Sequence, residues 1–284
     1  MPRSLLKSWL GLSRTRLFVA VTVPAVLGGA VAERDGSFSA GTFLLILAGL
    51  VLVESSNLFF GDWTAREGKS ILPSANPPPT IEGSPLIAER ILSSRHTLHA
   101  SALCLLSAAV VLVYFALMRG WPILLFGFLA VLIGFFYALS PIKYGFFSTA
   151  LLPPLLTLSV GFVSTGRFTQ VALLAGLPLL FSSAGVIYTY RVLYVHPANA
   201  DSFSARLRPL VLLYCLTFLS VILLDVFELL PATTALAVLV LPILLYLVAR
   251  AEKERLDYVP VTSLGVLLHA VTGLLLALGF ILNW

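Results

Sequence analysis

Nine long apolar runs set the limits on what this chain can fold into. They cover about 17–32, 39–60, 97–117, 121–139, 147–164, 170–190, 209–229, 232–249 and 262–283. A helix that crosses a bilayer needs roughly 20 mostly apolar residues, and each run approaches or exceeds that length. The runs are rich in Leu, Val and Ala and do not alternate polar with apolar residues, which separates them from barrel strands. Composition agrees. Of 284 residues, 59% are hydrophobic and 11% are charged, against about 45–50% and about 25% in soluble domains. So few charges cannot cover the surface of a water-soluble globule of this size. The expected fold class is therefore an all-α membrane protein, a single polytopic domain over 1–284 with nine transmembrane helices. Prolines 24, 122, 153, 154, 178 and 242 fall inside or at the start of runs, which predicts local kinks.

The first run has two readings. Arg3, Lys7, Arg14 and Arg16 precede it and Ala30-Val31-Ala32 closes it, which fits a secretory signal with its cleavage site. Eight further runs favour a retained first helix. With nine spans, fifteen of the eighteen Lys and Arg residues fall on the side that holds the N-terminus; only Arg34, Arg119 and Arg167 fall on the other. Positive charge marks the cytoplasmic side, so the N-terminus is expected inside and Trp284 outside, in the cytoplasmic (inner) membrane. The net charge of +5 thus reports topology, and nucleic acid is not an expected partner. Cys104 and Cys215 stand alone in apolar runs and read as packing residues.

Loop lengths are unequal. The second loop, about 61–96, is long and carries five prolines between Pro73 and Pro85; the sixth, about 191–208, is also substantial. The order short, long, short occurs within helices one to four and again within five to eight, suggesting two four-helix units plus a ninth helix. Both long loops are expected on the cytoplasmic side.

Polar residues gather where these loops begin. Glu54 lies about two turns inside the end of helix two, where an ionisable group is costly and usually paired or functional. Glu54, Asn57 and Gly61 recur at three and four residues and so share a helix face, with Asp62 beside it. Oxygen ligands at a membrane mouth could hold Mg²⁺, which favours carboxylates, water and phosphate. The strong alternative is that Asp62 and Arg66, four apart, simply pair at a solvated helix end. The end of helix six carries Tyr188, Tyr190, Arg191, Tyr194 and His196, followed by Asp201, Arg206 and Arg208. Such a group could bind an anion such as diphosphate, or anchor the helix at the lipid–water boundary. Lys143 beside Tyr137 and Tyr144 offers another cation among aromatics. His269 and Thr272 in the last helix read as packing or lining groups. Asp225 and Glu228 read as solvated boundary residues.

In order and spacing, the chain resembles the UbiA-type intramembrane prenyltransferase superfamily, and within it the dihydroxynaphthoate polyprenyltransferases of menaquinone synthesis. The resemblance rests on Arg14-Thr15-Arg16-Leu17 ahead of a Pro-Ala-Val-Leu-Gly-Gly helix, on Asn57-Leu58, and on Ile81 to Leu98. It continues through Tyr137 to Tyr144, Gly161 to Gly166 and Thr262 to Leu282. The family binds Mg²⁺ and the diphosphate of a polyprenyl donor with two Asp-rich segments, on helices two and six. Mg²⁺ and cationic side chains stabilise the departing diphosphate, aromatic walls stabilise the allylic cation, and an electron-rich acceptor attacks.

The resemblance implies a catalytic set of Asn57, Asp62 and Arg191. It further implies a Mg²⁺ site at Glu54, Asn57, Asp62 and Glu67, and a diphosphate site at Arg66, Lys69, Lys143, Tyr190, Arg191 and Arg206. Tyr137, Tyr194, His196 and His269 would line the substrate chamber. The implied partners are a polyprenyl diphosphate, an aromatic or quinone-type acceptor and the bilayer. Against the family's Asn-x-x-Asn-Asp-x-x-Asp, this chain keeps Asn57 but has Phe60, Gly61 and Thr64 at the later positions. Against Tyr-Arg-Asp-x-x-x-Asp, it keeps Tyr190-Arg191 but has Val192 and His196. Those departures leave a second expectation: a non-catalytic relative that binds an isoprenoid lipid or quinone, or supports a membrane partner.

Overall fold

The computed structural model describes residues 15–66, 94–139, 145–195, 203–253 and 258–282. All nine apolar runs lie largely in helix, and no strand occurs among the described residues. In chain order the helices are α1 (Thr15–Arg34), α2 (Ala40–Arg66), α3 (Ser94–Arg119), α4 (Pro122–Leu139) and α5 (Gly145–Thr165). There follow α6 (Gln170–Ala175), α7 (Leu177–Val195), α8 (Phe203–Val226), a 3₁₀ segment (Ala232–Val240), α9 (Leu241–Lys253) and α10 (Tyr258–Leu282). Six stretches among the described residues are long and apolar enough to cross a membrane: Ala40–Gly61, Arg95–Arg119, Gln170–Tyr188, Arg208–Val226, Ala232–Ala249 and Ser263–Leu282. Shorter apolar helices cover Pro122–Gly134 and Ala150–Thr165.

The expected proline effects occur at specific places. A proline lacks the N–H that a helix needs and its ring clashes with the carbonyl four residues back. Pro178 and Pro242 each stand second in a new helix, and each run is interrupted just before. The sixth run breaks at Gly176 into α6 and α7, and the eighth changes from 3₁₀ to α at Leu241. Pro24 and the Pro153–Pro154 pair are instead carried within helices. There the Thr157 hydroxyl bonds the Pro153 carbonyl at 2.9 Å and reaches the Pro24 carbonyl at 3.2 Å. Turns use positive-φ residues at Gly36, Gly120 and Gly166, and, without glycine, at Glu228 with φ 55°.

The chain forms two compact units. One comprises 1–18 and 47–145, the other 19–46 and 146–284. This division differs from the two four-helix units that the loop lengths suggest, because α1 packs with the later helices. Gly28 of α1 admits α5 so closely that a Cβ there would stand 2.7 Å from the Thr157 carbonyl oxygen. Val23, Leu27 and Val31 of α1 share a buried core with Leu179 of α7, Val221 of α8 and Leu276 of α10.

In the first unit, α2 and α3 run antiparallel, with Gly49 against Val111 and Ser56 against Ser101. The α4 helix closes on both: Gly127 against Leu112, Gly134 against Asn57. Small residues let membrane helices approach closely, and serine supplies hydrogen bonds between them. Ser56 Oγ donates to the Ser101 carbonyl at 2.9 Å, and Ser101 Oγ returns the bond to the Ser56 carbonyl at 2.9 Å. The opposite face of α3 is apolar and bare: Leu117 is 84% exposed and Val110 70%. In water that face would be a liability; in hydrocarbon it is the solvated side.

In the second unit, α7, α8 and α10 pack around glycines. The Tyr214 ring fills the space beside Gly185, and its hydroxyl fills that beside Gly265. A second buried cluster surrounds Tyr214, with Leu210, Phe218, Leu244, Leu247 and Leu268. The Arg34 guanidinium lies 5.9 Å from the centre of the Phe280 ring, so the last turns of α1 and α10 occupy the same end of the unit. Cys104 is half-buried, but Cys215 is exposed rather than packed, on the α8 surface that also bares Leu212 and Leu219.

Candidate functional site

The site begins with Glu54 and Asn57 on α2. Three residues apart, they face the same way, and the Asn57 amide lies near enough to the Glu54 carboxyl to interact with it. Both are half-buried. Across from them, Gly134 of α4 lies so close to the Asn57 amide that a Cβ at 134 would overlap it. Reciprocal serine bonds hold α2 to α3 at Ser56, in the same turn. The acid–amide pair is therefore fixed from two sides by helix packing, one side supplied by a missing side chain.

The remaining helix-two positions diverge. Thr64 is buried and turns its hydroxyl back onto the Gly61 carbonyl of its own helix at 2.8 Å. Gly61 faces open space. Asp62 and Arg66 lie on the last turns of α2, which extends past the expected end at 60. Tyr137 lies in the last turn of α4, Tyr190, Arg191 and Tyr194 on the last turns of α7, and Arg206 in the first turn of α8. Glu67, Lys69, Lys143, His196 and Asp201 lie outside the described residues. Among the described residues no three His, Cys, Asp or Glu side chains gather as a metal site would require.

His269 lies inside the second unit at 2% exposure. Its Nδ1 lies 2.8 Å from Ser182 Oγ of α7. Thr272, one turn further along α10, is fully buried. The sequence reading missed Ser182, Ser101 and Gly134. Their signals were present: serines and glycines within otherwise apolar runs, the residue types that join membrane helices.

These features define an integral membrane protein, helical throughout its described residues, with an acid–amide pair midway along its second helix. No family model matches the chain and no curated protein matches it.

Proposed function

We propose that this protein is an intramembrane prenyltransferase, moving a polyprenyl group from its diphosphate to an aromatic or quinone-precursor acceptor within a bundle of nine spans. The observation that carries the reading is the Glu54–Asn57 pair, held against Gly134, on the second helix, where the resemblance expects one of the donor-binding segments. The carboxylate and the amide carbonyl are oxygen donors suited to Mg²⁺, which keeps several waters and takes substrate phosphate oxygens in its other positions. Glu54 and Asn57 would hold the ion, with Asp62 and Glu67 following in the chain. When bound, Mg²⁺ supplies charge stabilisation for the departing diphosphate. Arg66, Lys69, Lys143, Tyr190, Arg191 and Arg206 would take the diphosphate oxygens, since charge-assisted bonds to phosphate are the strong ones. Tyr137, Tyr194 and His196 would wall the chamber. The N-terminus would be cytoplasmic and the C-terminus outside, following the positive charges.

The test uses the purified full chain in detergent with labelled polyprenyl diphosphate, Mg²⁺ and a panel of aromatic and quinol acceptors. Diphosphate release that vanishes in Asn57→Ala combined with Asp62→Ala is the expected result. No release with any acceptor overturns the reading.

One observation favours a second reading, a non-catalytic relative that holds an isoprenoid lipid or quinone, or supports a membrane partner. Glu54 and Asn57 interact with each other, as two polar groups placed at lipid depth only for packing would. On that reading the same double variant retains its cellular role.

A further inference from the structure

The α7 and α10 helices run antiparallel in a register set by three contacts: Leu179 with Gly273, Ser182 with His269, and Val186 with Gly265. The glycines one turn to either side of His269 are filled by Tyr214 and by Val23. This packing buries His269 and, three residues on, Thr272. Two polar groups so enclosed need partners, because buried polar atoms are nearly always hydrogen-bonded.

Only part of that need is met. Ser182 has one hydroxyl proton, and its Oγ lies 3.1 Å from the Leu179 carbonyl of its own helix. With that proton on the carbonyl, Ser182 Oγ accepts from His269 Nδ1–H at 2.8 Å. A neutral imidazole protonated at Nδ1 carries a bare lone pair at Nε2. His269 Nε2 is buried and has no hydrogen-bond partner, and the same is true of Thr272 Oγ1. Thr272 is unusual in its own unit. The buried hydroxyls of Thr157, Ser164 and Thr217 all bond back to the carbonyl four residues earlier. Thr272 forgoes that local bond, which is available to any helical threonine.

We propose that His269 Nε2 and Thr272 Oγ1 form a binding site for one hydroxyl group, which donates to the imidazole and accepts from the threonine. An acceptor lone pair and a hydroxyl three residues apart on one helix face complement an O–H. Water and the phenolic or alcoholic hydroxyl of a membrane-soluble ligand share this chemistry. The inference uses neither the α2 pair nor any transfer reaction, so it stands or falls apart from the proposed activity.

The experiment is nitrogen NMR of the full chain with ¹⁵N-labelled histidine, reconstituted in phosphatidylcholine liposomes. The His269 signals are assigned by their loss in His269→Phe, or by their shift in Ser182→Ala if that variant does not fold. The expected spectrum has a protonated Nδ1 and an unprotonated Nε2 shifted upfield of a bare imine nitrogen by a hydrogen bond. Thr272→Val, which keeps the shape, should move Nε2 downfield and leave Nδ1 in place. A cross-peak from Nε2 to water identifies water as the occupant. A shift on adding 2-naphthol, but not 2-methoxynaphthalene, identifies a site for organic hydroxyls. A protonated Nε2 overturns the proposal, as does a bare imine signal that responds neither to naphthol nor to Thr272→Val.

Discussion

Gly134 of α4 rests directly on the side-chain amide of Asn57, leaving no room for a Cβ between the two helices. The glycine thus determines where Asn57 sits, and through it how the amide meets Glu54. Gly134→Ala must push the amide aside or part the helices, and overpacking of this kind costs about 1–3 kcal/mol. The expected outcome is a lowered thermal midpoint in detergent and, on the proposed activity, the same loss of diphosphate release as Asn57→Ala. Unfolding curves and release assays on the two variants side by side check both halves.

Ser56 and Ser101 exchange hydroxyl-to-carbonyl bonds across the α2–α3 contact, and their hydroxyls are 3.0 Å apart. Each single alanine variant removes one donor and leaves the other in place. Hydrogen bonds between membrane helices average about 0.6 kcal/mol in mutant cycles and reach about 1.7. A double-mutant cycle by reversible unfolding should therefore give a coupling of about 1 kcal/mol. Full additivity would show that the two bonds act independently of each other.

Much of the helix order was legible because span length is a blunt physical requirement: a run of apolar residues long enough for the bilayer has few alternatives to helix. Helix breaks at Pro178 and Pro242 were legible for the same reason, as backbone chemistry. Which face of each helix meets protein was not. Lipid and protein interior are equally apolar, so Leu117, which is 84% exposed, and Leu276, which is fully buried, look alike in the sequence. Periodicity therefore could not reveal that α1 packs with α5, α7 and α10, nor that Gly134 faces Asn57. The Glu54–Asn57 pair was legible because ionisable and amide groups are rare at that depth and three-residue spacing fixes a shared face. The use of Thr64 on its own backbone was not, since a threonine can serve helix, neighbour or ligand equally well.

Glu228 closes α8 in a conformation that suits glycine. Its φ is 55°, and the amides of Leu229 and Leu230 both reach back to the Leu224 carbonyl, at 2.9 and 3.2 Å. This is the left-handed cap that helices usually end with, and a side chain there costs about 1–2 kcal/mol. Glycine removes that strain but adds unfolded-chain entropy, which returns about 0.5–1 kcal/mol. The Glu228 side chain is exposed, so its removal disturbs little packing. Glu228→Gly should stabilise the protein by about 0.5–1 kcal/mol, visible as a higher thermal midpoint. Glu228→Ala, with a Cβ in the same backbone geometry, should bring no such gain.

At Gly279 the constraint is reversed, because its surroundings are backbone. A Cβ there would stand 2.7 Å from the Thr233 carbonyl oxygen and 2.7 Å from the Thr234 Cα. Neither atom can rotate away as a side-chain end would. The same approach lets Thr233 Oγ1 donate to the Gly279 carbonyl at 2.5 Å, joining the start of the 3₁₀ segment to the last turns of α10. Gly279→Ala should therefore cost about 1–3 kcal/mol. Thr233→Val, which removes only the hydroxyl, should cost nearer 1 kcal/mol, the usual worth of one hydrogen bond. If packing alone matters, Thr233→Val will unfold like the parent while Gly279→Ala will not. If the close approach serves the hydrogen bond, the two effects will be less than additive in the double variant, because Gly279→Ala already separates the partners.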